Sequence, residues 1–441
     1  MSGDLLVRGG RVVRASGDAL ADVLVLGGVV VEVGHALQSP PGTPVLDASG
    51  CLVLPGLVDP QVHFREPGLE HKEDLASGSL AAIGGGVTGF MEMPNTKPST
   101  TTPELLADKI ARALGRAHGD FAFFLGATAQ NADRLGEWEQ LPGCAGVKIF
   151  MGSSTGDLLV PDDPTVERVL RSGRRRVAVH AEDDYRLKER YKALKPDTHI
   201  RHHHEVRDVE TAVLATRRLL NLAEKTGRKV HVLHISTAEE VALIRERALG
   251  DLVTAEVTPN HLFLAAPDCY DQYGSLAQMN PPVRDVRHRD ALRKGLVDGV
   301  LTCIGSDHAP HSLVEKQKPY PDTPSGIPGV QTILPLLLTG VRDGWLSLST
   351  IARVACLGAC RVYGIKGKGD LAKGFDGDLV VVDPNVRLPL ERTWLHSKAG
   401  YSPYVGWLLA GWQREVVLRG EVVYRDHAPV GAPKGQLLRF S

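Results

Sequence analysis

The chain has 441 residues, with 51 basic and 52 acidic side chains and a formal net charge of −1. That balance argues against a nucleic-acid or membrane-surface partner, both of which draw on a basic excess. The length allows two or three domains, or one α/β barrel with insertions. No apolar run reaches the ~18 residues of a membrane span, and no basic segment leads into an apolar signal core at the start. Six scattered cysteines without a Cys-x-x-Cys pair argue against a zinc knuckle or a thioredoxin-like site. The expectation is a reduced, soluble, cytoplasmic protein.

In chain order, Asp4 to Ala48 reads as short strands, among them Leu5–Arg8, Arg11–Val13, Asp22–Leu26 and Val29–Val33, punctuated by glycines as in hairpins. The far end has the same texture in Gly377–Asp383 and Glu415–Tyr424. This predicts a small β-sandwich assembled from both termini, residues 1–53 and 370–441, around a middle of 54–369. In that middle, apolar strands at Val147–Phe150, Arg176–His180, Lys229–His234 and Leu301–Gly305 alternate with helical stretches at Pro103–Ala117, Val209–Thr226 and Ala238–Ala248. Repeated strand-then-helix order implies a parallel sheet, and its length suits an α/β fold of the (β/α)8 TIM-like barrel type. An open doubly wound sheet is the alternative. The glycines of Ala81–Gly86 lie between a helix and a strand, so they read as a turn and not as a phosphate loop.

The candidate chemistry sits at strand ends. The run Cys51–Asp59 leads to Gln61-Val62-His63. Side chains two apart on a strand share a face, so positions 61 and 63 aim at one point where barrel enzymes build their sites. His63 offers a neutral imidazole nitrogen suited to zinc, whereas Gln61 offers only a weak amide oxygen. Lys148, His180, His234 and Asp307 stand in or just after later strands, and a barrel would gather them on one rim. A bare ammonium repels a cation, but a lysine in an apolar strand tends toward the neutral amine. That amine takes up carbon dioxide to give an anionic carbamate able to bridge two metals; the plainer alternative is a buried stem with a paired charge. Asp307 reads as a ligand and general base, or as a helix N-cap before His308-Ala309-Pro310. His231, an odd number of residues before His234, is expected to face away and to be structural. His202-His203-His204 reads as a polar loop, because three adjacent side chains cannot reach one metal. Glu182 and Asp183 either orient His180 from behind or begin a helix. Trp407 and Trp412 read as core residues, with an interface as the alternative.

Eight segments in order, Val58–Gly68, Met93–Thr96, Val147–Ser154, Val179–Asp183, His234–Thr237, Asn280–Arg284, Gly305–His311 and Pro324–Gly329, resemble those of dihydroorotases, in the cyclic-amidase branch of the amidohydrolase superfamily. The resemblance implies a zinc-dependent enzyme with one or two Zn2+ ions per subunit. The implied metal ligands are His63, Lys148 (as N6-carboxylysine), His180, His234 and Asp307. Asp307 is also the implied catalytic proton carrier, and Arg65, Asn95, Asn280 and His311 the implied substrate-binding residues. The implied reaction is reversible cyclisation of N-carbamoyl-L-aspartate to L-dihydroorotate in pyrimidine (UMP) biosynthesis, by a homo-oligomer, dimer or larger. The family usually has a second histidine where this chain has Gln61. That departure leaves open one metal, two metals with a poorer first site, or the amide oxygen as a ligand. Two rival readings remain. One is another cyclic-amide hydrolase, acting on hydantoin, dihydropyrimidine or allantoin. The other is a non-catalytic subunit that supports a partner such as aspartate transcarbamoylase. Arg65 favours a carboxylate-bearing ring, since a buried guanidinium suits a carboxylate through paired charge-assisted hydrogen bonds.

Overall fold

The computed structural model describes residues 3–153 and 158–441; Ser154, the last residue of the motif around Lys148, lies outside them. Eight strands form one sheet in chain order: Leu57–Val62, Val87–Glu92, Asp120–Gly126, Cys144–Phe150, Val177–His180, Val230–Val232, Val253–Val257 and Cys303–Ile304. Neighbours pair in parallel throughout. Val62 also bridges in parallel to His308, whose carbonyl accepts from the His63 N–H at 2.7 Å, so the first and last strand ends meet. The result is the barrel and not the open sheet. Its strands are covered on both faces, which is why Phe121-Ala122-Phe123-Phe124-Leu125 is apolar without alternation and wholly buried.

The helices start and stop where local chemistry dictates. Asp208 accepts from the Thr211 N–H to cap Val209–Thr226, and Gly227 closes that helix at φ 69°. Two helices end earlier than their patterns predict. Pro103–Ala113 stops because Leu114 turns to ψ 126°, and Ala238–Arg247 stops at Ala248, which is left-handed at φ 44°. The glycines after Ile83 do form the turn between helix Leu75–Gly84 and strand Val87–Glu92.

A second, nine-stranded sheet draws on both ends of the chain. Its two contributions join where Leu52–Pro55 pairs antiparallel with Leu379–Pro389. At the base of the barrel, Lys368 donates to Asp120 at 2.5 Å, Asp378 at 2.5 Å and Asp376 at 3.1 Å. Arg419, in a turn of the second sheet, also reaches Asp120 at 2.5 Å. This buried ion cluster ties strand Asp120–Gly126 to the terminal sheet. Trp412 packs edge-on to Trp394, and Trp407 donates from Nε1 to the Tyr273 hydroxyl at 2.7 Å, so both tryptophans serve internal packing. All six cysteines are buried and free.

Candidate active site

The strand ends deliver Gln61, His63, Arg65, Asn95, Lys148, His180, His234 and Asp307, and the connection ahead of helix Val286–Val297 delivers Asn280, to one pocket with an empty volume of about 360 Å³. Roomier surface clefts exist, such as one lined by Leu20, Leu338 and Val341, which carries no acid, imidazole or lysine amine. Arg65, His234 and Asp307 all adopt left-handed backbone, at φ 67°, 37° and 48°. Such strain in non-glycine residues clusters at functional sites, where the surrounding fold holds it in place. It also disposes of one alternative: Asp307 caps no helix.

Two of the imidazoles, His180 and His63, are each aimed by a partner behind the ring. His180 Nε2 lies 2.9 Å from Glu182 Oε2, so its N–H is used there and Nδ1 faces His234 Nε2 at 3.0 Å. Burial pushes the Glu182 carboxyl up, but Arg207 and His180 outweigh it and hold the group ionised, far below the usual range. Asp183 instead caps helix Asp184–Lys192 through the Arg186 N–H. The two acids thus divide the roles the sequence left open. His63 Nδ1 lies 2.7 Å from Asn95 Oδ1, which turns Nε2 toward Asp307 Oδ1 at 3.1 Å. Gln61 Nε2 donates to the same Oδ1 at 3.0 Å, while its own Oε1 is buried without a partner among the described residues.

Lys148 is 1% exposed, and its Nζ has no hydrogen-bond partner among the described residues; the Phe150 ring lies 4.3 Å below it. Burial pushes the ammonium down to about 7, against the pull of Asp307 and Glu256. Burial likewise lowers His63, His180 and His234, which favours neutral imidazoles. Neutral imidazole nitrogens, two of them backed by a carboxylate or an amide, with one carboxylate and one buried amine, are the donors a zinc-type ion requires, so the residues present fit a metal.

Two other groupings of ligand-type side chains lie outside the pocket lining, and their bonding accounts for both. Asp120, Asp376 and Asp378 surround the Lys368 ammonium. His231 bonds Thr254 Oγ1 at 2.7 Å and Glu256 at 3.1 Å, with Cys303 beside it. His231 is therefore structural as read, but its predicted facing is wrong. The register aligns Lys148 with Ala178 and Ala178 with His231, which puts Lys148 and His231 on one face of the sheet, and His234 lines the pocket with Lys148, so both histidines point inward. Strand alternation stops at Val232, and the left-handed His234 swings back to the interior.

The triple histidine also departs from the polar-loop reading. His203 is fully buried at the head of helix His203–Val206. Its Nε2 lies 3.0 Å from the Met279 carbonyl and 3.1 Å from Asn280 Oδ1, so it holds the pocket residue Asn280. Beside Arg65, His311 Nε2 lies 3.3 Å from Nη2. Arg65 Nε donates to the Pro310 carbonyl at 3.1 Å, and its Nη1 is buried with no partner among the described residues. Burial pushes this guanidinium down to about 10, which leaves it charged at neutral pH. Gly326, also in the lining, sits at φ 151°, and a Cβ there would lie 2.1 Å from the Ala309 carbonyl oxygen, so only glycine fits.

A barrel with these ligand types at its strand ends, beside a sheet built from both termini, defines a metal-dependent hydrolase class, and the amidohydrolase family model matches residues 52–423. The chain belongs to the amidohydrolase family. Among curated proteins it is 35% identical to a dihydroorotase of Methanosarcina acetivorans over 451 aligned positions, covering 99% of this chain and 96% of that one. It is 36% identical to a dihydroorotase of Halobacterium salinarum, covering 87% and 89%. Among solved structures, the L-hydantoinase (dihydropyrimidinase) of Arthrobacter aurescens superposes with a TM-score of 0.94 at 28% identity, covering 99% of both chains.

Proposed function

We propose that this chain is a dihydroorotase, which interconverts N-carbamoyl-L-aspartate and L-dihydroorotate. One observation carries the choice of substrate: Arg65 is buried and charged, and its Nη1 has no partner among the described residues. A buried cation without an acid costs several kcal/mol unless a ligand supplies the charge, and the carboxylate of dihydroorotate is such a ligand. The curated dihydroorotases support the same choice.

His63, Lys148, His180, His234 and Asp307 would hold the metal, with Lys148 as N6-carboxylysine. Such an ion, zinc by the chemistry of the donors, activates water and polarises the amide carbonyl. The other steps belong to the chain. Asp307 takes the proton of the attacking water and passes it to the departing ring nitrogen. Gln61 and His63 both contact Oδ1 of Asp307, which leaves Oδ2 for that transfer. Arg65, Asn95 and His311 seat the carboxylate, and Asn280 and the Pro324–Gly329 loop face the ring amide, so part of the rate comes from positioning. A cytoplasmic homo-oligomer, dimer or larger, goes with this reading.

The test is turnover of L-dihydroorotate with zinc added and with chelator. Zinc-restored turnover is the expected result; none in folded, metal-loaded protein refutes the reading. The likeness to hydantoinases favours a second reading, a hydrolase of rings without the carboxylate. A preference for hydantoin or dihydrouracil in the same assay would establish it.

A further inference from the structure

The carboxylate end of the pocket contains a lysine that the reaction scheme leaves without a role. Lys72 is buried in the loop before helix Leu75–Gly84. Its Nζ lies 3.1 Å from His311 Nδ1 and 2.8 Å from Glu315 Oε1. Glu315 is itself fixed, in a capping box with Ser312. On the far side of the ring, His311 Nε2 lies 3.1 Å from the Ser325 carbonyl oxygen and 3.3 Å from Arg65 Nη2.

A neutral imidazole carries one ring proton, and its neighbours decide where. An ammonium has donors only, so Lys72, paired with Glu315, donates to Nδ1. The ring proton then sits on Nε2, where the Ser325 carbonyl accepts it. The other tautomer would set an N–H against an ammonium and leave that carbonyl facing a lone pair. A second proton is opposed by the surroundings: burial, then Arg65, Lys72 and Lys316, push His311 well below its ordinary value. Lys316 does not compete for the ring. Its Nζ is spent on the carbonyls of Gln278, Pro324 and Gly326, at 3.3, 2.9 and 3.1 Å, and so pins the loop that carries Ser325.

We propose that Lys72 is a positioning residue for carboxylate recognition, acting by holding His311 as the Nε2–H tautomer. One consequence follows for the seat beside Arg65. With its Nε2–H given to the Ser325 carbonyl, His311 offers Arg65 Nη2 no lone pair, so that nitrogen, like Nη1, is left for the incoming carboxylate, in the two-pronged geometry that guanidinium and carboxylate favour. The proposal deepens the dihydroorotase reading and rests on it for the identity of the carboxylate.

Two measurements test it. Neutron diffraction of the whole protein should place deuterium on His311 Nε2 alone; deuterium on Nδ1, with or without Nε2, overturns the proposal whatever the substrate is. In kinetics, Lys72→Met should raise KM for L-dihydroorotate by about tenfold, the worth of one hydrogen bond to a charged group, and leave kcat nearly unchanged. It should leave binding of dihydrouracil, which lacks the carboxylate, as in the parent protein. Lys72→Arg, still a donor-only side chain, should recover most of the KM, and Glu315→Gln should leave it near the parent value. Equal losses on both rings, or a loss in kcat alone, overturn the proposal. If the parent protein fails to turn over L-dihydroorotate, the functional reading fails, and the deuterium position still decides the tautomer.

Discussion

Two clusters of buried charge sit at opposite ends of one barrel and are built on opposite plans. At the base, all six carboxylate oxygens of Asp120, Asp376 and Asp378 have partners, drawn from Lys368, Arg419, Arg439 and the backbone of Gln436. At the rim, Gln61 Oε1, Arg65 Nη1 and Lys148 Nζ are buried with none among the described residues, and Asp59 Oδ2 and Glu256 Oε1 likewise lie unpaired in the same interior. Each such orphan costs about 1–3 kcal/mol. The base satisfies its groups with the chain's own atoms and so binds two structural units together. The rim leaves several of its groups without partners among the described residues.

That contrast can be broken at either end. The largest effect is expected at the rim: Asp307→Asn should cut turnover by about 10²–10⁴-fold and largely spare binding of N-carbamoyl-L-aspartate, measured by calorimetry. Substantial residual turnover would remove the proton role. At the base, Lys368→Met should strand three acids and cost about 3–5 kcal/mol, seen as a lower thermal midpoint, with turnover per folded molecule unchanged. A loss of specific activity at an unchanged midpoint would mean the two ends are coupled. Arg65→Gln should raise KM for L-dihydroorotate by about 10–100-fold, from the loss of charge-assisted bonds of about 1.5–3 kcal/mol, and should improve or preserve handling of a carboxylate-free ring. The smallest effect tests a half-exposed acid belonging to neither cluster. Burial raises Asp208, but its bonds to Arg186 and to the Thr211 cap outweigh that and bring it to about 2, below the ordinary 3.8. Its contribution is therefore present above about pH 4 and fades as pH falls toward 2. Asp208→Asn should flatten acid unfolding in that window, by no more than about 1 kcal/mol.

Much of this was legible in the residues. The barrel followed from repeated strand-then-helix order, and His63, Lys148, His180 and Asp307 could be placed at its rim because each lies at or near the end of an apolar run. Glu182 behind His180 was visible as an acid two residues on, although nothing local separated its role from that of Asp183. His203 was hidden by its neighbours: three adjacent histidines look alike until a helix turn buries one of them. Lys72 and Lys316 were hidden because a lysine in a polar stretch is ordinarily solvated. Only the fold shows that Lys72 lies against His311, 239 positions away.

Local sequence by itself determined the elements, their caps, the apolar runs that close into a barrel, and the kinds of ligand at its rim, since these depend on side-chain period and nearest neighbours. The tertiary structure alone decided where those ligands point and what they touch. His234 turns inward because its backbone is left-handed, which no strand alternation predicts. Gln61 meets Asp307 across 246 positions because the barrel closes the first strand on the last. Contacts of that range depend on closure and packing, and spacing along the chain does not encode them.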